Sequence, residues 1–188
     1  AGSTNARAAS TWALAADGRL DEARRQLPAV ADHPAAMFEF LRGLQRTSTV
    51  ADARRAEFAG VQLDAIEMLR PHEAELSASD RQTLARLHAR ALADSGRTGD
   101  ALAACAALAQ AYPRDAEIQQ AHAQLLATQE DSPSLELALR QWRGVESKSK
   151  PGSALWFRAK YAVAELHERL GRPDQAAEII DLLELLHP

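Results

Sequence analysis

Apolar residues along this chain recur three and four positions apart almost from end to end. Leu84, Leu87, Ala91 and Leu92 follow this spacing, and so do Phe58, Val61, Ala65, Ile66 and Leu69. A turn of about 3.6 residues gathers such positions on one face, so each run predicts an amphipathic helix with a buried apolar stripe. No stretch alternates apolar and polar residues in the manner of a strand, and β-branched or aromatic runs are almost lacking. The pattern predicts an all-α chain. Helices are expected over 4–16, 20–32, 35–46, 50–70, 80–94, 98–112, 115–128, 133–147, 153–170 and 173–187. The helix over 50–70 is unusually long; at 1.5 Å per residue it would reach about 30 Å.

Punctuation supports these boundaries. Gly18, Gly96 and Gly171 each follow one predicted helix and precede another, where a residue without a Cβ can take the left-handed turn. Pro34, Pro113 and Pro188 fall just after a second helix, and Pro173 suits the first turn of its helix. Ser79 or Asp80 is the expected cap of the helix over 80–94, and Asp131 or Ser132 that of the helix over 133–147. The sequence Gly-Arg-x-x-x-Ala is written three times, at 18–23, 96–101 and 171–176. The glycines are 78 and 75 residues apart, so a helix-turn-helix repeat of about 34 residues fits twice into each interval. Five helical hairpins follow, the second and fourth more divergent than the others.

These residues resemble the tetratricopeptide repeat. Over 84–113 the chain has Ala89, Leu92, Gly96, Ala101, Leu108 and Pro113 at the positions that family uses; over 158–188 it has Ala164, Gly171, Ala176, Ile180, Leu183 and Pro188. The first unit keeps Gly18, Ala23, Leu27, Val30 and Pro34. The unit over 116–150 keeps Ala138 and Trp142 with an insertion at its turn, and 35–70 keeps least. The resemblance implies a right-handed α-solenoid, a single repeat domain over 1–188 with units at about 1–34, 35–79, 80–114, 115–150 and 151–188. Small alanines would let paired helices approach, and stacking would give a concave and a convex face.

Composition narrows the function. The 188 residues carry a net charge of −4 with a pI near 5.9, which argues against a nucleic-acid binder or a basic membrane-surface helix. No run approaches the ~20 apolar residues of a membrane span. The single cysteine, Cys105, allows no internal disulfide and no cysteine metal cluster, which suits a soluble protein of the cytoplasm or the periplasm alike.

Candidate chemistry mostly dissolves into structure. A phosphate loop needs clustered glycines after a strand, whereas each Gly-Arg here lies between helices, its arginine (Arg19, Arg97, Arg172) expected in solvent. The six histidines, His33, His72, His88, His122, His167 and His187, show no zinc spacing. His33 and His187 each precede a proline at a helix end, where a cation suits the helix dipole. Ser147-Lys148-Ser149-Lys150 formally contains Ser-x-x-Lys but has no companion motif, and reads as a solvated loop. Cys105 reads as a small buried hydrophobe, Trp12, Trp142, Trp156 and Phe157 as packing, and Asp174, Glu178, Asp181 and Glu184 as a solvated stripe. No catalytic residue, metal site or cofactor is expected.

By resemblance, such arrays present residues of each first helix to a bound peptide. The matching positions are Thr83, Arg86 and Arg90, then Glu117, Gln120 and Gln124, then Arg158, Tyr161 and Glu165. Arginine and glutamine can hold a carboxylate or a peptide backbone by directed hydrogen bonds. The clamp that cochaperones of the family use for acidic tails needs lysine and asparagine where this chain has neither. On the last helix, Ile179, Leu182, Leu183 and Leu186 form part of an apolar surface wider than one stripe, expected to meet a second copy or a further domain. The expected function is a non-catalytic scaffold or adaptor that binds a protein or peptide on the concave face, with no nucleic acid and no membrane insertion. The alternatives are a structural spacer or dimerisation segment, and a regulatory domain of an enzyme whose catalytic part lies elsewhere.

Overall fold

The structure, a computed structural model, describes the backbone of residues 2–48 and 54–186 and the side chains of residues 6–45 and 54–185. Among the described residues there are eleven α-helices and no strand. They are α1 (Gly2–Ala16), α2 (Leu20–Gln26), α3 (Pro28–Ala31), α4 (Pro34–Ser48), α5 (Arg55–Leu69), α6 (Ala78–Asp94), α7 (Thr98–Ala111), α8 (Ala116–Ala127), α9 (Ser132–Lys148), α10 (Ala154–Arg169) and α11 (Pro173–Leu186). His187, Pro188 and the side chain of Leu186, all singled out from the sequence, lie outside the described residues, as do positions 50–53 of the predicted long helix.

One predicted helix is broken in two, and proline is the reason. The helix expected over 20–32 is interrupted at Leu27 and restarts with Pro28 in its first turn. The helix expected over 50–70 ends at Leu69, close to its predicted end, and its described part, Arg55–Leu69, spans about 22 Å. A 3-10 segment, Arg70–Glu75, follows with Pro71 near its start, because proline cannot supply the next helical donor. The start of α6 also moves. Ser77, not Ser79 or Asp80, is its cap: the Oγ accepts the Asp80 amide at 3.1 Å and donates to Asp80 Oδ2 at 2.7 Å. Asp131 caps α9 as expected, accepting the Ser134 amide at 2.8 Å.

The three Gly-Arg turns share one hydrogen-bond pattern that accounts for their spacing. Gly18, Gly96 and Gly171 have φ of 81°, 79° and 73°. Their amides reach back to Ala15, Ala93 and Glu168, and the amides of Arg19, Arg97 and Arg172 reach Leu14, Leu92 and His167. This paired closure satisfies two carbonyls at the end of the first helix and requires a left-handed residue at the glycine. Each arginine carbonyl then accepts the amide of Ala23, Ala101 or Ala176, the first bond of the next helix. Gly-Arg-x-x-x-Ala is therefore one helix closing and another opening. The arginine side chains are not simply solvated. Arg19 pairs with Glu22 at 2.6 Å, Arg97 with Asp100 at 2.7 Å, and Arg172 reaches Glu136 on α9.

The chain forms two compact units, 1–104 and 105–188. In the first, α1 packs on α2 and α4, α4 on α5, and α5 on α6. Leu27, Met37, Phe40, Leu41, Leu44, Phe58 and Leu69 are its largest buried side chains. Trp12 is only partly covered; its indole lies against Gly43 of α4, filling the space a Cβ would take. In the second unit α8 packs on α9, α9 on α10, and α10 on α11. Ala123, Ala138 and Ala159 are wholly buried, and these small side chains let their helix backbones come close. Leu139, Trp142, Val163 and Leu166 fill the space around them, each bulky apolar side chain contributing about 1.5–3 kcal/mol by burial. Cys105 is buried, and burial pushes its thiol pKa up.

Candidate functional site

The second unit assembles six of the predicted binding residues on two helices. Asp115 begins α8 by accepting the amides of Glu117 and Ile118, both at 3.1 Å. From that start Glu117, Gln120 and Gln124 follow at spacings of three and four and share one face of the helix, while Ile118, Ala123 and Leu126 are buried. Ser153 caps α10 by accepting the Trp156 amide at 3.3 Å, and Arg158, Tyr161 and Glu165 share its outer face. The structure brings Gln120 and Arg158 together: Arg158 Nη1 donates to Gln120 Oε1 at 3.2 Å. Tyr161 is 56% exposed, and Glu117, Gln124 and Glu165 are exposed as well.

Both ends of this helix pair are fixed by polar contacts the sequence pattern did not reveal. Beneath Gln120, the buried Gln119 donates to the carbonyls of Ala109 at 2.8 Å and Tyr112 at 3.0 Å, and its oxygen accepts from Gln141 of α9. At the other end, Arg169 donates to the carbonyls of Ala127 at 2.6 Å and Gln129 at 2.8 Å, covering the last turn of α8 from α10. With Arg158 on Gln120 near their starts and Arg169 on Ala127 near their ends, α8 and α10 run parallel. Neither contact has a local signature. Gln119 is polar at a buried position, and Arg169 acts across 42 residues of chain.

A second polar group lies where α9 meets α10. His167 is almost fully buried at 2% exposure, and Arg143 Nη2 lies 3.1 Å from its Nε2. A guanidinium has no acceptor, so Nε2 must accept and the neutral ring carries its proton on Nδ1. That nitrogen has no partner among the described residues. Burial, followed by the charges of Arg143 and Arg172, holds the His167 pKa below its usual value, with Glu136 opposing. Lys160 of α10 pairs with Glu146 of α9 at 2.8 Å, both largely covered.

The remaining predicted residues sit elsewhere. Thr83, Arg86 and Arg90 lie on α6 in the first unit. The Thr83 hydroxyl donates to the Ser79 carbonyl of its own helix at 3.0 Å, Arg90 approaches Asp94 at 3.4 Å, and Arg86 is exposed. On α11, Ile179 is half-buried and Leu182 is 45% exposed, while Leu183 is buried at 4%. Leu185, which the sequence also places on this apolar surface, is the most exposed large hydrophobe there at 77%. Asp174, Glu178, Asp181 and Glu184 all face solvent. Among the described residues no helix is long and apolar enough to cross a membrane.

Comparison with known proteins identifies the architecture. No protein-family model matches the sequence, and no curated protein matches it either. Solved structures do. A crystal structure of MamA superposes with a TM-score of 0.66 at 13% identity, over 98% of this chain and 92% of that one. The nearly identical TPR-like repeats of a Podosopora anserina protein assigned as a kinesin light chain give 0.63 at 13%, over 96% and 92%. MamA from AMB-1 gives 0.57 at 16%, over 95% and 88%. At these identities the likeness establishes the fold: an all-α, TPR-like helical repeat of the solenoid class.

Proposed function

We propose that this chain is a non-catalytic protein-interaction module that captures a peptide or protein segment on the face formed by α8 and α10. On this reading its hairpins make one repeat domain over 1–188. The observation that carries it is the Arg158–Gln120 contact, which holds two exposed polar helix faces side by side. Around it Glu117, Gln124, Tyr161 and Glu165 offer hydrogen-bond donors, acceptors and an aromatic surface to solvent. The fold shared with TPR-like repeats supports the reading. Thr83, Arg86 and Arg90 of α6 are kept as candidate binding residues of the first unit.

The test is site-specific photo-crosslinking in the native cell. A crosslinker at Gln124 or Tyr161 should capture a discrete protein, and one at the exposed Arg140 of α9 should not. Arg158→Glu should abolish the capture while leaving the melting curve intact. Equal capture from Arg140, or capture unaffected by Arg158→Glu, defeats the proposal.

A second reading, self-association through α11, is favoured by the exposure of Leu182 and Leu185. Sedimentation velocity should then show a concentration-dependent dimer that Leu182→Glu dissolves. A strict monomer at every concentration removes this reading.

A further inference from the structure

Where α8 begins and α9 ends, the second unit holds a half-open cavity of about 150 Å³. Its apolar lining comes from Pro113, Ala116, Val145 and Leu155, with Val145 buried at 3%. Three cations stand around it: Arg114, Lys148 and Lys150. No carboxylate lines it, and none of the three cations has an ion pair among the described residues. The sign is out of keeping with the rest of the molecule. The chain's net charge is −4 and it has only three lysines, yet two of them are here. Read as sequence, Ser147–Lys150 was a solvated loop; folded, it is one wall of a cavity.

The helix termini at this place are already occupied. Asp115 takes the Glu117 and Ile118 amides, and Ser153 takes the Trp156 amide, so the positive character comes from the side chains. Lys148 Nζ donates to the Pro113 carbonyl at 3.2 Å, which anchors the ammonium on the rim and uses one of its three donors. Arg114 and Lys150 are exposed and unpaired in this way, able to close on an incoming anion. A bare inorganic anion would satisfy the cations and leave the apolar floor wet. A purely aliphatic group would fill the floor and leave the cations unused. The occupant that satisfies both is a carboxylate next to an aliphatic side chain.

We propose that this cavity binds an acidic residue and its aliphatic neighbour within a protein segment. The carboxylate lies among Arg114, Lys148 and Lys150, and the aliphatic group rests on Val145 and Leu155. The proposal deepens the reading of the α8–α10 face and rests on it for the source of the segment. Gln119 and Leu155, which line the cavity, are adjacent to Gln120 and one turn before Arg158. A segment lying across the Arg158–Gln120 pair can therefore place one acidic-aliphatic step in the cavity.

The experiment uses the full chain with ¹³C-labelled Val and Leu methyl groups. The probes are a Leu-Glu-Leu peptide blocked at both ends, its Leu-Gln-Leu counterpart and inorganic phosphate. Leu-Glu-Leu should shift the Val145 and Leu155 methyl signals saturably, with affinity falling as salt is raised. Leu-Gln-Leu should bind at least about tenfold more weakly. Combined Arg114→Gln, Lys148→Gln and Lys150→Gln substitutions, all at exposed positions, should remove the response and leave the melting curve unchanged. Equal binding of the two peptides overturns the proposal even if the triple variant fails to fold. So does a response to phosphate with none to Leu-Glu-Leu, which would make the cavity a plain anion site. Because Arg158→Glu leaves the cavity intact, capture that survives Arg158→Glu while the tripeptide still binds counts against the face alone, and capture lost in Arg158→Glu with no tripeptide response in the unsubstituted chain counts against the cavity alone.

Discussion

Arg158 of α10 donates to Gln120 of α8 at 3.2 Å, and neither side chain is buried. The contact orients two helix faces without belonging to the core. Exposed polar pairs contribute about 0.2–1 kcal/mol. Arg158→Ala and Gln120→Ala should therefore each shift stability by no more than about 0.5 kcal/mol. A double-mutant cycle in urea should give a coupling below about 1 kcal/mol. A larger coupling would make the pair a structural tie and weaken its reading as part of a binding surface.

The glycine turns should not respond alike to alanine. At Gly96 and Gly171 nothing lies within 4 Å of an added Cβ, so the cost is the left-handed backbone alone, about 1–2 kcal/mol. At Gly18 the guanidinium of Arg54 occupies the place of the Cβ and donates to the Gly18 carbonyl at 2.9 Å. Gly18→Ala should cost more than Gly96→Ala, because Arg54 must leave as well as the backbone strain. Gly96→Asn should cost less than Gly96→Ala, since asparagine tolerates the left-handed region. Thermal unfolding of the four variants checks the order; equal losses at Gly18 and Gly96 would show that the Arg54 contact contributes nothing.

Acid should weaken the fold through its covered histidines. His167, His88 and His122 all have pKa values lowered from about 6.5, each chiefly by burial. A lowered value means the unfolded chain takes up protons before the folded one does. Stability is then complete above about pH 6.5 and falls as pH drops below it, by up to about 1.4 kcal/mol per pH unit for each such histidine. His167→Leu should reduce the slope between pH 6.5 and 5.5 and cost little at pH 7.5, since it also removes the buried Nδ1 that lacks a partner. Urea titrations across that range measure it. An unchanged slope would mean that His167 is protonated in the folded chain.

Arg169 should matter more than its exposure suggests. Its two bonds to the Ala127 and Gln129 carbonyls close the end of α8. Arg169→Ala should cost roughly 1 kcal/mol, about 2–4 °C in melting temperature for a chain of this size. Lysine, with a single point of charge and no fork, should recover only part of the loss. Faster amide exchange confined to the last turn of α8 would identify the cause; a loss spread evenly over the unit would not support it.

The sequence carried the helices because burial writes a period of about 3.6 into apolar positions, and it carried the turns because left-handed backbone selects glycine. It lost detail where one residue overrules a longer pattern. Pro28 splits the helix expected over 20–32. The α8 and α10 positions were legible as one face each, by spacing alone. That Gln120 meets Arg158, that Gln119 is buried with all its polar atoms used, and that Arg114, Lys148 and Lys150 surround a cavity depend on which helices become neighbours. The Gln120–Arg158 and Pro113–Lys148 pairings join residues 38 and 35 positions apart and leave no local periodicity to read.

The carbonyls that Arg169 covers, that of Ala127 at the end of α8 and that of Gln129 just past it, leave the ribosome earlier. Ala127, the last residue of α8, is synthesised 42 positions before the arginine that binds its carbonyl. At translation rates of 5–20 residues per second, that carbonyl waits about 2–8 s for its partner. During that interval Thr128 and Gln129 close the Leu125 and Leu126 carbonyls locally while the Ala127 carbonyl is left to water, so the nascent helix is complete at its N-terminal cap, Asp115, before it is complete at its last carbonyl.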